Sequence, residues 1–372
     1  MRILRSVFLV ALSLFSACSG NSSESSSFPI VPPQEAQIVQ EIQATGIDKY
    51  FGQTASRTEQ QAQWEVHFFN PAEGRAICLF GAEYQISIRR GASNNVLFYL
   101  QGGGACWNAE SCLDVKTASD TAVRDPETGI LDASQPNNPF KDWNVVFVSY
   151  CDGSVFSGDN VLQYRDVTTY HHGLENLGAA VTTTQRTFPT PDKVLVAGSS
   201  AGGYGVLVAM LMVKLTFPDR SNWVLSDSGP GIQNLNETTI MPQRNQNWPF
   251  PPHILPASCT NCAQQPAYLY EWAISRDPNL RVGLFSALQD VVIRSFLLLD
   301  GPGYEALLLQ VTNDISSRVG ARYRRFFIAG PRHTVLLDPA FYILSLNGIT
   351  MAEWTGAMAN NNDAGWPDLI EQ

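Results

Sequence analysis

The chain has 372 residues, 44% of them hydrophobic, with 24 Lys and Arg against 34 Asp and Glu and a formal net charge of −10. That length and composition suit one large globular domain, or two at most. No Lys/Arg cluster exists that could track a phosphate backbone, which argues against a nucleic-acid partner, and an acidic surface disfavours strongly anionic polymers unless the cleft is locally neutral.

At the N-terminus, Arg2 and Arg5 precede an apolar stretch over 7–15, followed by Ser16-Ala17-Cys18. A positive start, a short apolar run and small residues before a cleavage point read as an export signal over 1–17. The run is too short to cross a bilayer as a helix. Cysteine directly after Ser16-Ala17 resembles a bacterial lipobox, with Phe15 where leucine is usual. The mature chain is then expected to begin at a diacylated Cys18, held to a membrane of the cell envelope. The alternative is an ordinary secretory signal with an incidental cysteine. Residues 18–35, rich in Ser, Gly and Pro, read as a flexible tether. Residues 36–372 read as a single catalytic domain, with no internal repeat.

From about residue 84 onward, strand-like and helical stretches alternate. Residues 84–92 alternate in strand fashion and predict an antiparallel edge strand or hairpin. Apolar, β-rich runs follow at 95–100, 144–150, 194–197, 223–226, 282–285 and 325–329. Helix-length stretches lie at 174–186, 205–216, 289–299 and 304–318, and a last one at 338–346. Strands without clean polar alternation are buried on both faces. The order therefore predicts an α/β fold with a mostly parallel sheet covered on both sides. Residues 229–266, rich in Pro, Asn and Gln, break the rhythm and read as a lid-like insertion. Trp248 and Phe250 within it could line a cleft.

Export makes the remaining cysteines interpretable. Cys78, Cys106, Cys112, Cys151, Cys259 and Cys262 are an even set, and in an oxidising compartment they predict disulfides with fifteen possible connectivities. Cys106–Cys112 and Cys259–Cys262 are the local candidates, which leaves Cys78–Cys151 as the long one. A zinc reading of Cys259-Thr-Asn-Cys262 lacks a second ligand pair, and no metal or cofactor is expected.

The chemistry centres on Gly198-Ser199-Ser200-Ala201-Gly202, a G-x-S-x-G run between an apolar strand and a small-residue helix start. Such a turn holds the serine in a strained conformation with its hydroxyl exposed at the end of the sheet. Glycines are needed where a side chain would collide across the turn. A serine hydroxyl is a weak nucleophile and needs a base, which in turn needs an orienting carboxylate. In sheet-based hydrolases the order along the chain is Ser, then Asp or Glu, then His. Of His67, His171, His172, His253 and His333, only the last two follow Ser200. His253 sits between prolines in the insertion, whereas His333 follows the 325–329 strand, where ligands of open α/β sheets bind. His333 is therefore the expected base. Asp290, the first carboxylate beyond the 282–285 strand, is the expected acid. Asp227 is the runner-up, and Asp338 a third option better suited to a helix cap. The oxyanion is expected to meet the Ala201 N–H and the glycine loop Gly102-Gly103-Gly104, which follows the 95–100 strand.

Three of these stretches carry a resemblance. Leu100-Gln101-Gly102-Gly103-Gly104-Ala105-Cys106-Trp107-Asn108 is similar to the Leu-Glu-Gly-Gly-Gly-Trp-Cys signature of the pectin acetylesterase/Notum family of serine carboxylesterases. The run from Trp143-Asn144 through Tyr150-Cys151-Asp152-Gly153-Ser154 to Gly158-Asp159 resembles that family's second signature. Gly198 to Gly203 matches its Gly-x-Ser-Ala-Gly-Gly elbow. Gln101 stands where the family has glutamate, and Ala105 where it has tryptophan, with Trp107 one place past the cysteine. The resemblance implies an α/β-hydrolase-like fold, a Ser200–Asp290–His333 triad, and an oxyanion hole from Gly102, Gly103 and Ala201. It also implies disulfides Cys78–Cys151 and Cys106–Cys112. Trp107 is the expected substrate-binding aromatic.

The expectation is an exported, lipid-anchored carboxylic ester hydrolase, monomeric, deacetylating O-acetylated polysaccharide through an acyl-enzyme. The rivals are an esterase for lipid or other small acyl esters, and a catalytically silent surface carbohydrate-binding protein on the same fold.

Overall fold

A computed structural model describes residues 33–248 and 254–371, which lie within one compact unit, Pro32–Gln372. Cys18, Phe250 and His253 lie outside the described residues.

Helix α1 (Pro33–Gln43) opens the unit, followed by the hairpin β1 (Arg57–Gln61) and β2 (Trp64–Phe69). Strands β3 (Tyr84–Arg89), β4 (Val96–Leu100) and β5 (Asn144–Val148) come next, then the separate hairpin β6 (Asn160–Tyr164) and β7 (Val167–His171). The second half alternates: α2 (Gly173–Thr187), β8 (Lys193–Ser199), α3 (Ala201–Thr216), β9 (Ser221–Asp227), α4 (Ile240–Asn247), α5 (Tyr268–Arg276) and β10 (Arg281–Ala287). It closes with α6 (Val291–Phe296), α7 (Gly301–Val319), β11 (Tyr323–Ile328), the short hairpin β12 (Ser345–Leu346) and β13 (Ile349–Thr350), α8 (Met351–Ala359) and β14 (Leu369–Ile370).

Ten strands form one sheet in the order β1-β2-β3-β5-β4-β8-β9-β10-β11-β14. β1, β2, β3 and β5 pair antiparallel, and every pairing from β5 through β4 to β14 is parallel. This is an α/β-hydrolase-like sheet with an antiparallel edge. Successive side chains of a strand point to opposite faces, and here both faces are buried. Val96, Phe98, Leu100, Val194, Val196, Val282 and Leu284 face one core, packed with Leu177 of α2, Leu207 and Leu211 of α3 and Leu308 of α7. Leu97, Tyr99, Leu195, Ala197, Phe285 and Phe326 face the other, packed with Met351, Trp354 and Met358 of α8. Helix α3 is buried almost all round, which is why it has an apolar run where an amphipathic stripe would otherwise be.

Four expectations change. The helix α1 begins at Pro33, inside the segment read as tether. The stretch 338–346 is not a helix: Asp338 caps a single 3-10 turn, Pro339–Tyr342, and the last helix is α8, after the β12–β13 hairpin. Asp338 accepts the Ala340 N–H, and Pro339 suits the first turn, so the start signal is real but Asn347-Gly348 soon reverses the chain. The insertion over 229–266 contains α4, a short helix with little amphipathic pattern. The β1–β2 and β6–β7 hairpins were not foreseen; β1 is polar and exposed on every residue, so it carries no hydrophobic alternation to read.

Cys78–Cys151, Cys106–Cys112 and Cys259–Cys262 are each disulfide-bonded. Among the described residues no helix is long and apolar enough to cross a membrane, and no cluster of three or more His, Cys, Asp or Glu could hold a metal ion.

Candidate active site

Ser200 stands between β8 and α3 with φ 57° and ψ −118°, a conformation that L residues rarely adopt. Such backbone costs on the order of 1–3 kcal/mol and persists only where its surroundings fix it. Here the Ser200 N–H donates to the Asp227 carbonyl at 2.8 Å, and the Ser200 carbonyl accepts the Tyr204 N–H at 3.1 Å. The flanking glycines are sterically required. A Cβ on Gly198 would lie 2.4 Å from the Gly202 carbonyl oxygen, and one on Gly202 would lie 2.1 Å from that of Leu100.

The glycine loop after β4 backs directly onto this turn. A Cβ on Gly102 would sit 2.9 Å from the Ser199 carbonyl oxygen and 3.2 Å from the Ser200 Cβ, so glycine suits the approach. Gly103 and Gly104 have φ of 157° and 78°. The loop is pinned from behind by Tyr150, whose hydroxyl donates to the Gly104 carbonyl at 2.9 Å, and by the Ser119 N–H donating to the Gly103 carbonyl at 2.8 Å. Among the described residues the Gly102 and Gly103 N–H groups donate to no protein acceptor. The Ala201 N–H opens α3 and, like any first-turn donor, has no partner within the helix. Gln101, where the related signature has glutamate, accepts the Tyr150 N–H at 3.0 Å and donates its amide to Asp125 at 2.8 Å. A carboxylate could accept the first bond but not donate the second, so Asp125 accounts for the amide at this position.

Asp290 and His333 meet. Asp290 is fully buried at the N-terminus of α6 and accepts the Val292 and Ile293 N–H groups, both at 3.0 Å. His333 Nδ1 lies 2.9 Å and 3.0 Å from its two oxygens, and the His333 side chain is 18% exposed. The loops bearing them are laced together: Gln289 N donates to the Gly330 carbonyl and Val291 N to that of Pro331. Because β8, β10 and β11 run parallel, Ser200, Asp290 and His333 all follow strand C-termini at one end of the sheet. Among the described residues the hydrogen bonds of the His333 ring go to Asp290, and none joins it to Ser200 Oγ. Such bonds are commonly long until a substrate is bound.

Asp227 has a different place from the one considered for it. It does not bond the His333 ring. It is buried at the end of β9 and accepts Ser199 Oγ at 2.6 Å, Val335 N at 3.0 Å and Leu336 N at 2.9 Å. Tyr99 extends the chain, its hydroxyl 2.7 Å from Ser199 Oγ. Next door, Ser228 Oγ accepts the Thr334 N–H at 3.0 Å. Asp227 therefore ties the strand before the serine to the loop after the histidine. Burial raises its pKa, against the pull of those hydrogen bonds and of the nearby His333.

A pocket opens at Ser200 and Ala201. Its walls are mostly apolar: Ala105, Trp107, Tyr204, Trp248, Ile293, Phe296 and Leu297. Trp107 meets Trp248 and Phe296 edge-on, each at 6.3 Å between ring centroids, and Trp248 Nε1 donates to the Cys106 carbonyl at 2.8 Å. Arg244 of α4 also lines this pocket. No sequence signal marked it, because it lies in the insertion that lacks periodicity.

Residues 57–244 match the pectinacetylesterase family, half of the chain and the half that holds the glycine loop and the serine turn. Pectin acetylesterase 11 of Arabidopsis thaliana is 28% identical over 171 residues, 41% of this chain and 42% of that protein. The palmitoleoyl-protein carboxylesterase NOTUM of Homo sapiens is 31% identical over 168 residues, 41% of this chain and 33% of that protein. The palmitoleoyl-protein carboxylesterase notum2 of Xenopus laevis is 32% identical over 136 residues, 34% and 27%. The matches span less than half the length of these curated relatives. Asp290 and His333 lie beyond the family match and rest on the geometry above. The chain belongs to the pectin acetylesterase/Notum family of carboxylesterases.

Proposed function

We propose that this chain is an exported serine carboxylic ester hydrolase that works through an acyl-enzyme, with O-acetylated polysaccharide as its preferred substrate class. The observation that carries the reading is the His333–Asp290 pair at the same sheet end as the strained Ser200 turn. Asp290 holds His333 Nδ1 and so leaves Nε2 to take the Ser200 proton. Ser200 Oγ attacks the ester carbonyl, and the Gly102, Gly103 and Ala201 N–H groups receive the oxyanion. The proton passes from His333 to the departing alcohol. Water, deprotonated by His333, then releases the acid and restores the serine.

The relatives named pectin acetylesterase support an acetyl ester on a polysaccharide. The apolar pocket walls favour a second reading, an acyl chain longer than acetyl, as in the relatives named palmitoleoyl-protein carboxylesterase. Three disulfides support export, since such bonds persist in oxidising compartments. Lipid attachment at Cys18 is the anchoring proposal, and a diacylglyceryl mass on the N-terminal peptide of the mature protein checks it.

The deciding experiment is hydrolysis of 4-nitrophenyl esters from acetate to decanoate by wild type and Ser200→Ala. Wild type should hydrolyse them and the variant should lose at least about 1,000-fold in kcat. Equal rates would leave a carbohydrate-binding protein as the better account. A maximum at acetate, with acetate release from acetylated pectin or xylan, supports the first substrate reading; a maximum at longer chains supports the second.

A further inference from the structure

The glycine loop is held by a side chain as well as by backbone. Gln101, directly before Gly102, spreads its amide between two segments that flank the loop. Its Oε1 accepts the Tyr150 N–H at 3.0 Å, and its Nε2 donates to Asp125 at 2.8 Å. Each of those segments also grips the loop itself. The Tyr150 hydroxyl donates to the Gly104 carbonyl at 2.9 Å. Residues 117–119, upstream of Asp125, lie antiparallel to 103–105: the Ala105 N–H donates to the Thr117 carbonyl at 3.1 Å, and the Ser119 N–H to the Gly103 carbonyl at 2.8 Å. Thr117 Oγ1 adds a bond to the Ala105 carbonyl at 2.6 Å. Gln101 thus closes a ring of polar contacts around the two glycines read as oxyanion donors.

Asp125 is half-buried, and among the described residues its side chain has one hydrogen bond, from Gln101, and no paired cation. The charged groups around it are engaged elsewhere. On its own segment, Arg124 stands over Trp64, 4.7 Å from the ring centre, and Glu127 pairs with Arg89 of β3 at 2.7 Å. On β4, the Tyr99 phenol is held well above its ordinary range by burial, with the Asp227 and Asp125 charges adding to the effect. An amide accepts an N–H and donates to a carboxylate at once without titrating, whereas a carboxyl group in its place needs a proton to do both. We propose that the Gln101–Asp125 bond is a positioning link of the oxyanion hole, holding the Gly102 and Gly103 N–H groups on the tetrahedral intermediate, and that the neutral amide keeps this link closed at every pH at which the enzyme works. This rests on the ester-hydrolase reading above and adds a positioning pair to it.

The isosteric Gln101→Glu tests the link. It sets two carboxylates side by side, and such a pair keeps one shared proton until well above the ordinary carboxylate range. With the proton present the link survives; without it the carboxylates repel and the loop shifts. The readout is kcat for 4-nitrophenyl acetate relative to wild type at each pH, per serine titrated with a phosphonate ester, so that unfolded molecules do not count. The ratio should stay within about 3-fold of one near pH 4.5 and fall by about 10- to 100-fold towards pH 8.5, approaching the loss of one oxyanion donor, with KM little changed. Gln101→Glu combined with Asp125→Asn exchanges the roles, the asparagine amide donating to the glutamate, and should return the ratio to near one at every pH. Asp125→Ala removes the acceptor without adding charge and should lower the ratio by about 10-fold at every pH, which serves as the test where Gln101→Glu does not fold. A pH-independent ratio in Gln101→Glu, a slope that Asp125→Asn fails to remove, or an Asp125→Ala variant with wild-type kcat would each overturn the inference while leaving the esterase reading standing. A wild type that hydrolyses no ester would sink both.

Discussion

At the scale of single residues, two buried aspartates lie near one histidine, and their hydrogen bonds separate their roles. Asp290 faces the His333 ring with both oxygens, whereas Asp227 spends its oxygens on Ser199 Oγ and on the backbone of residues 335 and 336. Asp290 can therefore hold a tautomer, and Asp227 can hold a loop. Asp290→Asn should cut kcat by about 10⁴-fold, since an amide can donate to Nδ1 and favour the wrong tautomer. Its effect on KM should be small. In Asp227→Asn the amide oxygen can take the Oδ2 place, but its NH₂ then stands against the Val335 N–H, donor against donor. The substitution should cost about 1–3 kcal/mol in stability, read as a lower urea midpoint, and should lower kcat far less than Asp290→Asn does. The reverse pattern, with activity abolished in Asp227→Asn at unchanged stability, would exchange the two assignments. Sequence order pointed to Asp290 because it is the first carboxylate past a strand. The strut role of Asp227 was not legible, because its partners at Ser199 and at residues 335 and 336 come together only in the folded sheet.

At the scale of elements, the turn joining β8 to α3 and the loop after β4 form one steric unit. Gly202 approaches the Leu100 carbonyl and Gly102 approaches Ser200, so neither segment can shift without the other. Gly202→Ala would put a Cβ 2.1 Å from a backbone oxygen that cannot rotate away. The expected cost is about 3 kcal/mol or more, at the upper end for overpacking, with loss of ester hydrolysis. Gly320→Ala, at a helix end where nothing lies within 4 Å, meets only the strain of a positive φ and should be milder. Equal denaturation midpoints for the two variants would refute the close approach. This unit was readable in advance because both halves are short-range patterns: a strand, then glycines at fixed spacing. The sheet from β4 to β11 was readable for a similar reason, since strands buried on both faces are unbroken apolar runs. The exposed β1 strand, the β6–β7 hairpin and the final helix were not, because β1, β6 and β7 pair locally but present no continuous apolar face, and the turn at Asn347-Gly348 cuts a promising helical pattern short.

At the scale of the whole molecule, two buried groups tilt stability in the acid range in opposite senses. Asp152, next to Cys151 of the Cys78–Cys151 bridge, is fully buried, accepts the Ser154 hydroxyl, and keeps one oxygen without a partner; burial raises its pKa to about 6. His171 is buried behind the Trp107 wall, with Nδ1 3.0 Å from the Asp152 carbonyl and Nε2 3.2 Å from Tyr164, and burial lowers its pKa to about 4. The two act in opposite directions. Between about 3.8 and 6 the folded state holds the Asp152 proton more firmly than the unfolded chain, so this group makes stability fall as pH rises. Between about 4 and 6.5 the unfolded chain holds the His171 proton more firmly, so this group makes stability rise with pH. The neighbouring Tyr84 and Tyr150 phenols are pushed well above their ordinary range by burial and do not titrate in this window. The opposed contributions should leave wild type with a shallow pH dependence between 4.5 and 6.5. Asp152→Asn exposes the histidine alone, and its urea midpoint should drop steeply on acidification across that window. His171→Gln exposes the carboxyl alone, and its midpoint should instead rise on acidification. Opposite slopes in the two variants are the required result, and parallel slopes would show that burial does not set these protonation states.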